Sequence, residues 1–458
     1  MDRRLIVLLF FGALALCALV TKAHAVSWND GSRIATVDAL TADRTFRIDG
    51  SPYAAGLGDE IRFRGRTYSD KPPLLAILGA AVATAVAPLG ITLRHTPGTA
   101  IYLVTLFTVG VWFAIGCCYA YAFQRVLGFA PRVALAVASL SGAGTLALSY
   151  ATVLTNHVPC GAAALAGCFH LYRSRERSWA DAAAAGLFFG AAYAFDAAGA
   201  VYAVAALVLL WGAPLRNWAA CALAALPVLA LQFAYNLAIS GSVLPTVFNL
   251  SVWSDPSLPL HQIGTTQVLR AFSPAEYAGF AVDHLVGVRG IVPFTPIVLL
   301  AGYGLWRMWR ARGRERVLAL AIAATFVAYV VLIVFLQNDT YSRNFGERRY
   351  VDLFFALCVG LGPALTALRG AWARSAALVL AALSIASAAL GTIAPFAGRQ
   401  GEWGFAFALH EFAELQRRAP VQAALDVVLL IVLIGVLLRL TANAMDGSGV
   451  SRAAQPRG

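Results

Sequence analysis

The residues best suited to chemistry lie together in one polar segment near the N-terminus. Residues 58–73 read GDEIRFRGRTYSDKPP, the densest polar run in the chain. Lys71 is one of only two lysines among 35 basic residues, so a sequence that otherwise uses arginine keeps an ammonium here. A compact ammonium is a good point-charge partner for a lipid phosphate. The segment therefore predicts phosphate binding at Lys71; the alternative is an interfacial cation whose stem lies along lipid.

The segment upstream is predicted to contain a short helix. Ile34, Val37 and Leu40 recur at helical spacing within 32–43, which indicates a helix lying on the membrane surface. Asp30 stands just before this helix. Its carboxylate is either a functional group or a cap for the first backbone N–H groups.

Composition indicates what must position these residues. The chain is 60% hydrophobic and 13% charged, with a mean hydropathy of +0.71, whereas soluble domains are about 25% charged. Segments in lipid must satisfy their backbone polar groups internally and are therefore helices. The net charge of +12 does not indicate nucleic acid, because the arginines are spread over short turns between apolar runs. The seven cysteines nearly all fall inside apolar runs, so no disulfide framework or zinc site is predicted.

Thirteen apolar runs are candidates for membrane helices. They cover 5–21, 73–92, 98–123, 133–152, 157–172, 180–195, 197–212, 217–238, 290–308, 316–336, 350–368, 374–394 and 421–440. We predict an all-α polytopic membrane protein, a bundle of about 12–13 transmembrane helices. A single domain covers 1–440, with long outer loops at 22–72 and 239–289 and a disordered cytoplasmic tail at 441–458.

Residues 1–25 allow two interpretations. The apolar run followed by Ala23-His24-Ala25 is typical of a cleaved signal peptide, but the many later runs favour an uncleaved first helix. Both interpretations place the loop 22–72 outside the cytoplasm.

Arginine-rich turns set the predicted orientation, because short basic turns are typically cytoplasmic. They lie at 173–177, 307–316 and 369–374. The loops 22–72 and 151–157 are then both outside, so an even number of crossings must separate them, whereas three apolar runs lie between. We therefore expect that the run 73–92, interrupted by Pro88, lies at the interface or re-enters.

Several short motifs, spread over residues 28–350, together resemble those of a known protein family. In the first loop they are Asn29-Asp30-Gly31-Ser32-Arg33, Ile48-Asp49, Gly58-Asp59 and Tyr68-Ser69-Asp70-Lys71-Pro72-Pro73. The later ones are Tyr235-Asn236 with Gly241-Ser242, Arg289-Gly290-Ile291 with Thr295-Pro296, and Gly346-Glu347-Arg348-Arg349-Tyr350. Together, over residues 28–350, the chain resembles the GT-C glycosyltransferases, and more narrowly their protein O-mannosyltransferase and aminoarabinose-transferase-like branch.

The resemblance implies transfer of a sugar from a polyprenyl-phosphate carrier to an acceptor on the extracytoplasmic side of the membrane. The high usage of Ala, Gly and Arg indicates a bacterium with a GC-rich genome, so we expect the protein in a bacterial inner membrane. A loop carboxylate would act as general base; Asp30 matches the family's acidic position, and Asp59 competes with it. Lys71 matches the Lys-Pro-Pro lysine, which would stabilise the departing phosphate. The other implied substrate-binding residues are Arg33, Tyr68, Asp70, His157, Arg289, Arg348 and Arg349.

The resemblance also allows a divalent cation, Mg or Mn, with Asp30 and His157 as candidate ligands. Related transferases often have an acidic residue near 150–160, but the stretch 155–159 reads TNHVP and contains no carboxylate. His157 is therefore either a substitute ligand or hydrogen-bond donor, or a buried structural histidine. Asp196 lies between two apolar runs and is either functional or part of a helix turn.

Two other functions stay open. One is a catalytically silent membrane protein with a GT-C-like fold, since the second carboxylate is missing. The other is a transporter or flippase of a lipid-linked solute, which predicts internal repeats and charges at the membrane midplane. The sequence shows no such repeat and concentrates its charge in an end loop, with 15 charged residues in 22–71.

Overall fold

The computed structural model describes residues 3–174, 178–246, 249–253, 273–336, 344–396 and 404–446. Part of the predicted outer loop 239–289 and most of the predicted tail 441–458 lie outside these residues. Up to the second outer loop the helices are α1 (Arg3–Val20), α2 (Trp28–Asp38), α3 (Leu74–Val86), α4 (Pro97–Thr105), α5 (Val111–Val126), α6 (Pro131–Ala143), α7 (Leu146–Tyr150), α8 (His157–Ser174), α9 (Trp179–Phe195), α10 (Tyr202–Leu210) and α11 (Leu215–Ser240). After it come α12 (Pro274–Val286), α13 (Ile291–Phe294), α14 (Ile297–Arg310), α15 (Arg314–Leu336), α16 (Val351–Leu357), α17 (Leu361–Ala367), α18 (Ala371–Ile393), α19 (Gly404–Arg418) and α20 (Pro420–Met445). Two strands, β1 (Glu60–Phe63) and β2 (Arg66–Ser69), form an antiparallel hairpin.

The prediction of an all-α polytopic membrane protein is confirmed. In the described part of the chain, seven helices are long and apolar enough to span a bilayer, or eight if the bent pair Pro274–Phe294 and Ile297–Arg310 counts as one span. The number is below the predicted 12–13 because some apolar runs form helices shorter than a bilayer requires, such as Leu74–Leu89 and Ala197–Leu210.

The first loop is folded into the protein. Its helix α2 begins at Trp28, earlier than the predicted 32–43, and every residue from Asn29 to Ala39 is buried. The prediction of a helix on the membrane surface is therefore wrong. Ile34 and Val37 do pack into the main core, but the polar face of α2 is also covered by the rest of the loop. An apolar stripe in the sequence could not show that a second layer covers the opposite face.

The run 73–92 returns to the side on which it starts. Helix α3 follows the first loop directly, and beyond its end the Arg94 guanidinium pairs with Asp38 and Asp43 of the same loop, at 3.1 and 2.8 Å. On the same side, the Lys22 amide donates to the carbonyl of Thr152 at 2.8 Å. Both ends of α3 therefore lie on the side of the first loop, in agreement with the even number of crossings inferred from the arginine-rich turns.

Close backbone contact brings α8 beside α16. A Cβ on Gly161 would lie only 2.9 Å from the carbonyl oxygen of Val351, so a larger residue would push the two helices apart. Because Gly161 lies one helical turn from His157, and Val351 precedes Asp352, the contact holds a histidine and a carboxylate of distant sequence position together.

Candidate active site

The hairpin of the first loop assembles an ion-pair centre. Its register pairs Glu60 with Ser69, so the residues just outside the two strands, Asp59 and Asp70, lie beside each other. The Lys71 ammonium lies between them, 2.7 Å from Oδ2 of Asp59 and 2.8 Å from Oδ2 of Asp70. Their side chains are only 14–16% exposed, so water screens the three charges weakly.

The two carboxylates of this centre differ in pKa. Burial alone would raise the pKa of Asp59, but the Lys71 ammonium, with weaker help from Arg348 and Arg33, brings it below the ordinary value. Burial raises the pKa of Asp70, and the attraction of Lys71 does not fully offset it because Asp59 repels a second negative charge. Oδ1 of Asp70 is buried and has no hydrogen-bond partner among the described residues. Asp70 therefore has the more basic carboxylate and an oxygen free to accept a proton.

Arg33 extends the centre toward the membrane helices. It is fully buried, and its guanidinium donates to the carbonyl and side-chain oxygens of Asn29 at 2.7 and 2.5 Å and to Oδ1 of Asn156 at 2.5 Å. Burial lowers the pKa of Arg33 to about 10, an effect that Asp70 and Asp196 partly offset. Arg33 is thus a buried cation that links the first loop to the start of α8.

Ser32 fixes α2 against the hairpin. Its hydroxyl donates to the backbone carbonyl of Asp59 at 2.6 Å and lies 2.6 Å from the hydroxyl of Ser69. These bonds hold the ends of both strands against the helix that bears Arg33. The position of the ion-pair centre is therefore set by a buried hydroxyl pair and not by the exposed hairpin turn.

The structure places Asp30 in a capping box and not in the ion-pair centre. Its Oδ1 accepts from the amide and hydroxyl of Ser27 at 2.8 and 2.6 Å, and its Oδ2 accepts from the amide of Val26 at 2.9 Å. Burial raises its pKa, and these hydrogen bonds partly offset the rise. Asp30 is therefore held as a structural carboxylate of the first turn of α2 rather than standing before the helix.

Replacing Asp30 by asparagine is expected to lower stability and to leave the catalytic rate of the folded protein close to that of the wild type. Hydrogen bonds to a charged group contribute about 1.5–3 kcal/mol each, and the substitution removes the charge and one acceptor. Thermal unfolding in detergent and the turnover of folded protein measure the two effects. Ser27→Ala is the matched control, since it loosens the same cap. A turnover loss in Asp30→Asn that Ser27→Ala lacks would make Asp30 a catalytic base.

Two carboxylates from distant parts of the chain lie beside the stretch 155–159. His157 Nδ1 lies 3.0 Å from Oδ1 of Asp352 and 3.4 Å from Oδ2 of Asp196, and the Asn156 amide donates to the same Asp196 oxygen. Distant parts of the chain therefore provide the acidic groups that the local sequence lacks. Asp352 is not among the residues predicted from the motifs, although its carboxylate lies inside the apolar run 350–368, which is itself a signal of a functional residue.

The two arginines before α16 have different surroundings. Arg349 forms a bidentate pair with Glu347, at 2.6 and 2.7 Å, and Glu347 is 2% exposed. Burial alone would raise the pKa of Glu347, but Arg349 holds it well below its usual range. The Arg348 guanidinium instead lies over the Phe396 ring, 5.3 Å from its centroid, and no carboxylate of the described residues lies within ion-pair distance. Of these two arginines, Arg348 is therefore the one whose guanidinium is available to bind a ligand.

The remaining predicted residues lie around this centre. Tyr68 is a β2 residue that packs with Ile61 and Tyr235 in a small apolar cluster under the hairpin. Arg289 is buried and close enough to Tyr150 to influence its electrostatic environment. The position of Tyr68 indicates a supporting role beneath the hairpin. The structure thus gathers Arg33, Asp59, Asp70, Lys71, His157 and Arg348 at one end of the bundle, joined by contacts or electrostatic coupling.

No protein-family model matches the sequence, and no curated protein matches it closely enough to count as a relative. Solved structures, in contrast, do show similarity to this chain. ArnT from Cupriavidus metallidurans bound to undecaprenyl phosphate is 16% identical, with a TM-score of 0.54 over 97% of this chain and 78% of that one. Its apo form is 17% identical, with a TM-score of 0.52 over 96% of this chain and 77% of that one. The chain therefore shares its fold with these two ArnT structures.

Proposed function

We propose that the protein transfers a sugar from a polyprenyl-phosphate carrier to an acceptor hydroxyl at the outer side of a bacterial inner membrane. The observation that carries this proposal is the convergence of Lys71, Arg33 and Arg348 with two carboxylates of the first loop in a chain of GT-C fold. The undecaprenyl phosphate bound to the similar ArnT supports a carrier of this class. A buried set of cations beside a proton acceptor is the arrangement that transfer from a phosphate requires.

The proposed reaction is a single displacement. The acceptor oxygen forms a bond to C1 of the sugar while the bond from C1 to the carrier phosphate oxygen breaks. The electron pair of that bond leaves with the phosphate, and the acceptor proton passes to a carboxylate. Positive charge fixed in advance near the phosphate oxygens stabilises the charge that develops there.

Asp70 is the better general base, and Asp59 is the partner that positions Lys71. A base with a raised pKa accepts a proton more readily than one held below its ordinary value. Asp70 combines that property with a free Oδ1, whereas Asp59 is held ionised by Lys71. Both remain part of the same centre, because the ammonium contacts both carboxylates.

Arg348 is the proposed anchor for the carrier phosphate. Arg349 cannot serve equally, since Glu347 already occupies its guanidinium fork and removing Arg349 would leave that glutamate buried without its main partner. A planar guanidinium can bind two phosphate oxygens at once. We propose that the phosphate lies between Arg348 and the Lys71 centre.

Arg348→Gln is expected to weaken binding of polyprenyl phosphate by about 10–100-fold, the equivalent of one charge-assisted bond. Thermal stability should change little, because no ion pair is broken. Arg349→Gln should instead cause a large loss of thermal stability, with little direct effect on binding of polyprenyl phosphate. Arg64→Gln, on the exposed hairpin turn, is the neutral control. Tryptophan fluorescence titration in nanodiscs measures binding, and equal effects of Arg348→Gln and Arg64→Gln would contradict the assignment.

The proposal as a whole is tested in proteoliposomes containing radiolabelled polyprenyl-phosphate sugars of several kinds. Wild-type protein is expected to transfer or hydrolyse at least one of them, with release of polyprenyl phosphate. A catalytically silent protein of the same fold would bind carriers without releasing label. A flippase would move the intact carrier between leaflets, so the label would stay lipid-bound.

A further inference from the structure

A second cluster of ionisable groups lies beside the transfer centre, on the membrane-helix side of Asn156. It comprises His157 at the start of α8, Asp196 after α9 and Asp352 in α16. Each offers one ligand atom, and these atoms all lie within 4.8 Å of one another. The proposed transfer reaction assigns no step to this group.

Neighbouring donors hold the two carboxylates in place. Tyr329 donates its hydroxyl to Oδ2 of Asp352 at 2.6 Å, and the thiol of Cys160 also bonds to this carboxylate. The Ala198 amide donates to Oδ1 of Asp196 at 2.9 Å. Hydrogen bonds that orient ligating carboxylates from behind are a common feature of metal sites. Here they leave Oδ1 of Asp352 directed at the imidazole.

The cluster lacks a positive charge at its centre. Both carboxylates face the same nitrogen of His157, and Nδ1 carries one hydrogen at most. It can donate a good bond to Asp352 at 3.0 Å, while the contact to Asp196 stays at 3.4 Å. Two carboxylates this close in a buried place require a proton or a cation between them.

We propose that His157, Asp196 and Asp352 bind one divalent transition-metal ion of the Zn²⁺ or Mn²⁺ class. An imidazole with two carboxylates suits these ions, whereas Mg²⁺ and Ca²⁺ favour oxygen ligands alone. Asp30, the other ligand suggested by the resemblance, is occupied in its capping box and does not belong to the group. A bound ion would add positive charge on the Arg33 and Arg348 side of the transfer centre. The inference does not depend on the transferase proposal.

Metal analysis tests the proposal without any activity measurement. The full chain in detergent is treated with chelator, incubated with Zn²⁺, Mn²⁺ or Mg²⁺, passed over a desalting column and analysed for metal per chain. Wild-type protein is expected to retain one equivalent of Zn²⁺ or Mn²⁺ and to gain thermal stability with it. His157→Gln and Asp196→Asn are expected to weaken retention by at least about tenfold, as the loss of a supporting group already does.

A matched control lies at the other end of the same helix. His170 Nδ1 pairs with Asp181 at 2.8 Å, and His170→Gln removes a comparable histidine–aspartate contact. This variant should bind metal like the wild type. Absence of stoichiometric metal in well-folded wild-type protein, or equal loss in His157→Gln and His170→Gln, would overturn the proposal and leave a shared proton as the explanation. Metal binding without sugar transfer would contradict the transferase proposal alone.

Discussion

Replacing Asp70 by asparagine is expected to lower the rate of sugar transfer by about 10²–10⁴-fold, the usual contribution of a general base. The fold should survive, since an asparagine oxygen can still accept from Lys71, 2.8 Å away in the wild type. Binding of polyprenyl phosphate should persist for the same reason. Single-turnover kinetics in proteoliposomes measure the chemical step, and size-exclusion chromatography checks the fold.

The pH dependence of the wild type provides an independent readout. A general base must be ionised to act, so activity falls as the pH drops through its pKa. Because the pKa of Asp70 is raised, the acid limb should lie above the value of about 4 that is typical of a free aspartate. Residual activity of Asp70→Asn should lack this limb. If the limb persists in Asp70→Asn and disappears in Asp59→Asn, the two carboxylates have exchanged roles.

Replacing Lys71 by methionine is expected to destabilise the protein by about 3–5 kcal/mol, because it leaves two buried carboxylates facing each other without their cation. It should also abolish transfer, since the variant lacks the ammonium next to the proposed phosphate site. Thermal unfolding in detergent and the transfer assay measure the two losses separately.

The double variant Asp59→Asn with Lys71→Met separates stability from catalysis. Neutralising Asp59 removes the repulsion on Asp70, so stability should recover substantially, whereas transfer should stay absent. A double variant that recovers both would show that Lys71 acts only through folding. Lys22→Met, the substitution of the other lysine, is the control for a general loss of positive charge.

The sequence allowed the fold class and much of the candidate site to be predicted, for different physical reasons. Apolar runs of bilayer length are a strong signal, because lipid permits little besides helices. Asp59, Asp70 and Lys71 lie within one short segment, so a local motif was enough to bring them together as candidates. The arginine-rich turns required that one of three apolar runs fail to cross, Pro88 indicated the run 73–92, and the ion pairs of Arg94 with Asp38 and Asp43 agree with that choice.

The rest depends on contacts between residues distant in sequence. The close approach of α8 to α16 at Gly161 brings Asp352 to 3.0 Å from His157. The sequence around Asp352 contains no sign of this contact. Arg348 and Arg349 are adjacent and of the same type, yet the bidentate bond from Glu347 leaves only one of them available. Asp30 matched a motif, but Ser27 and Val26 turn its carboxylate back onto the helix start. Side-chain partners of this kind are set by packing, which a single sequence does not encode locally.

The most direct test of sugar transfer at the Asp59–Lys71–Asp70 centre is release of polyprenyl phosphate from a labelled polyprenyl-phosphate sugar, with carrier binding measured in the same nanodiscs. Wild-type protein is expected to bind the carrier and release polyprenyl phosphate, Asp70→Asn to bind the carrier without release, and Arg348→Gln to bind the carrier weakly. Release by Asp70→Asn at the wild-type rate would contradict the assignment of Asp70 as the general base, and wild-type release by both Asp70→Asn and Asp59→Asn would show that the Asp59–Lys71–Asp70 centre does not perform the chemistry.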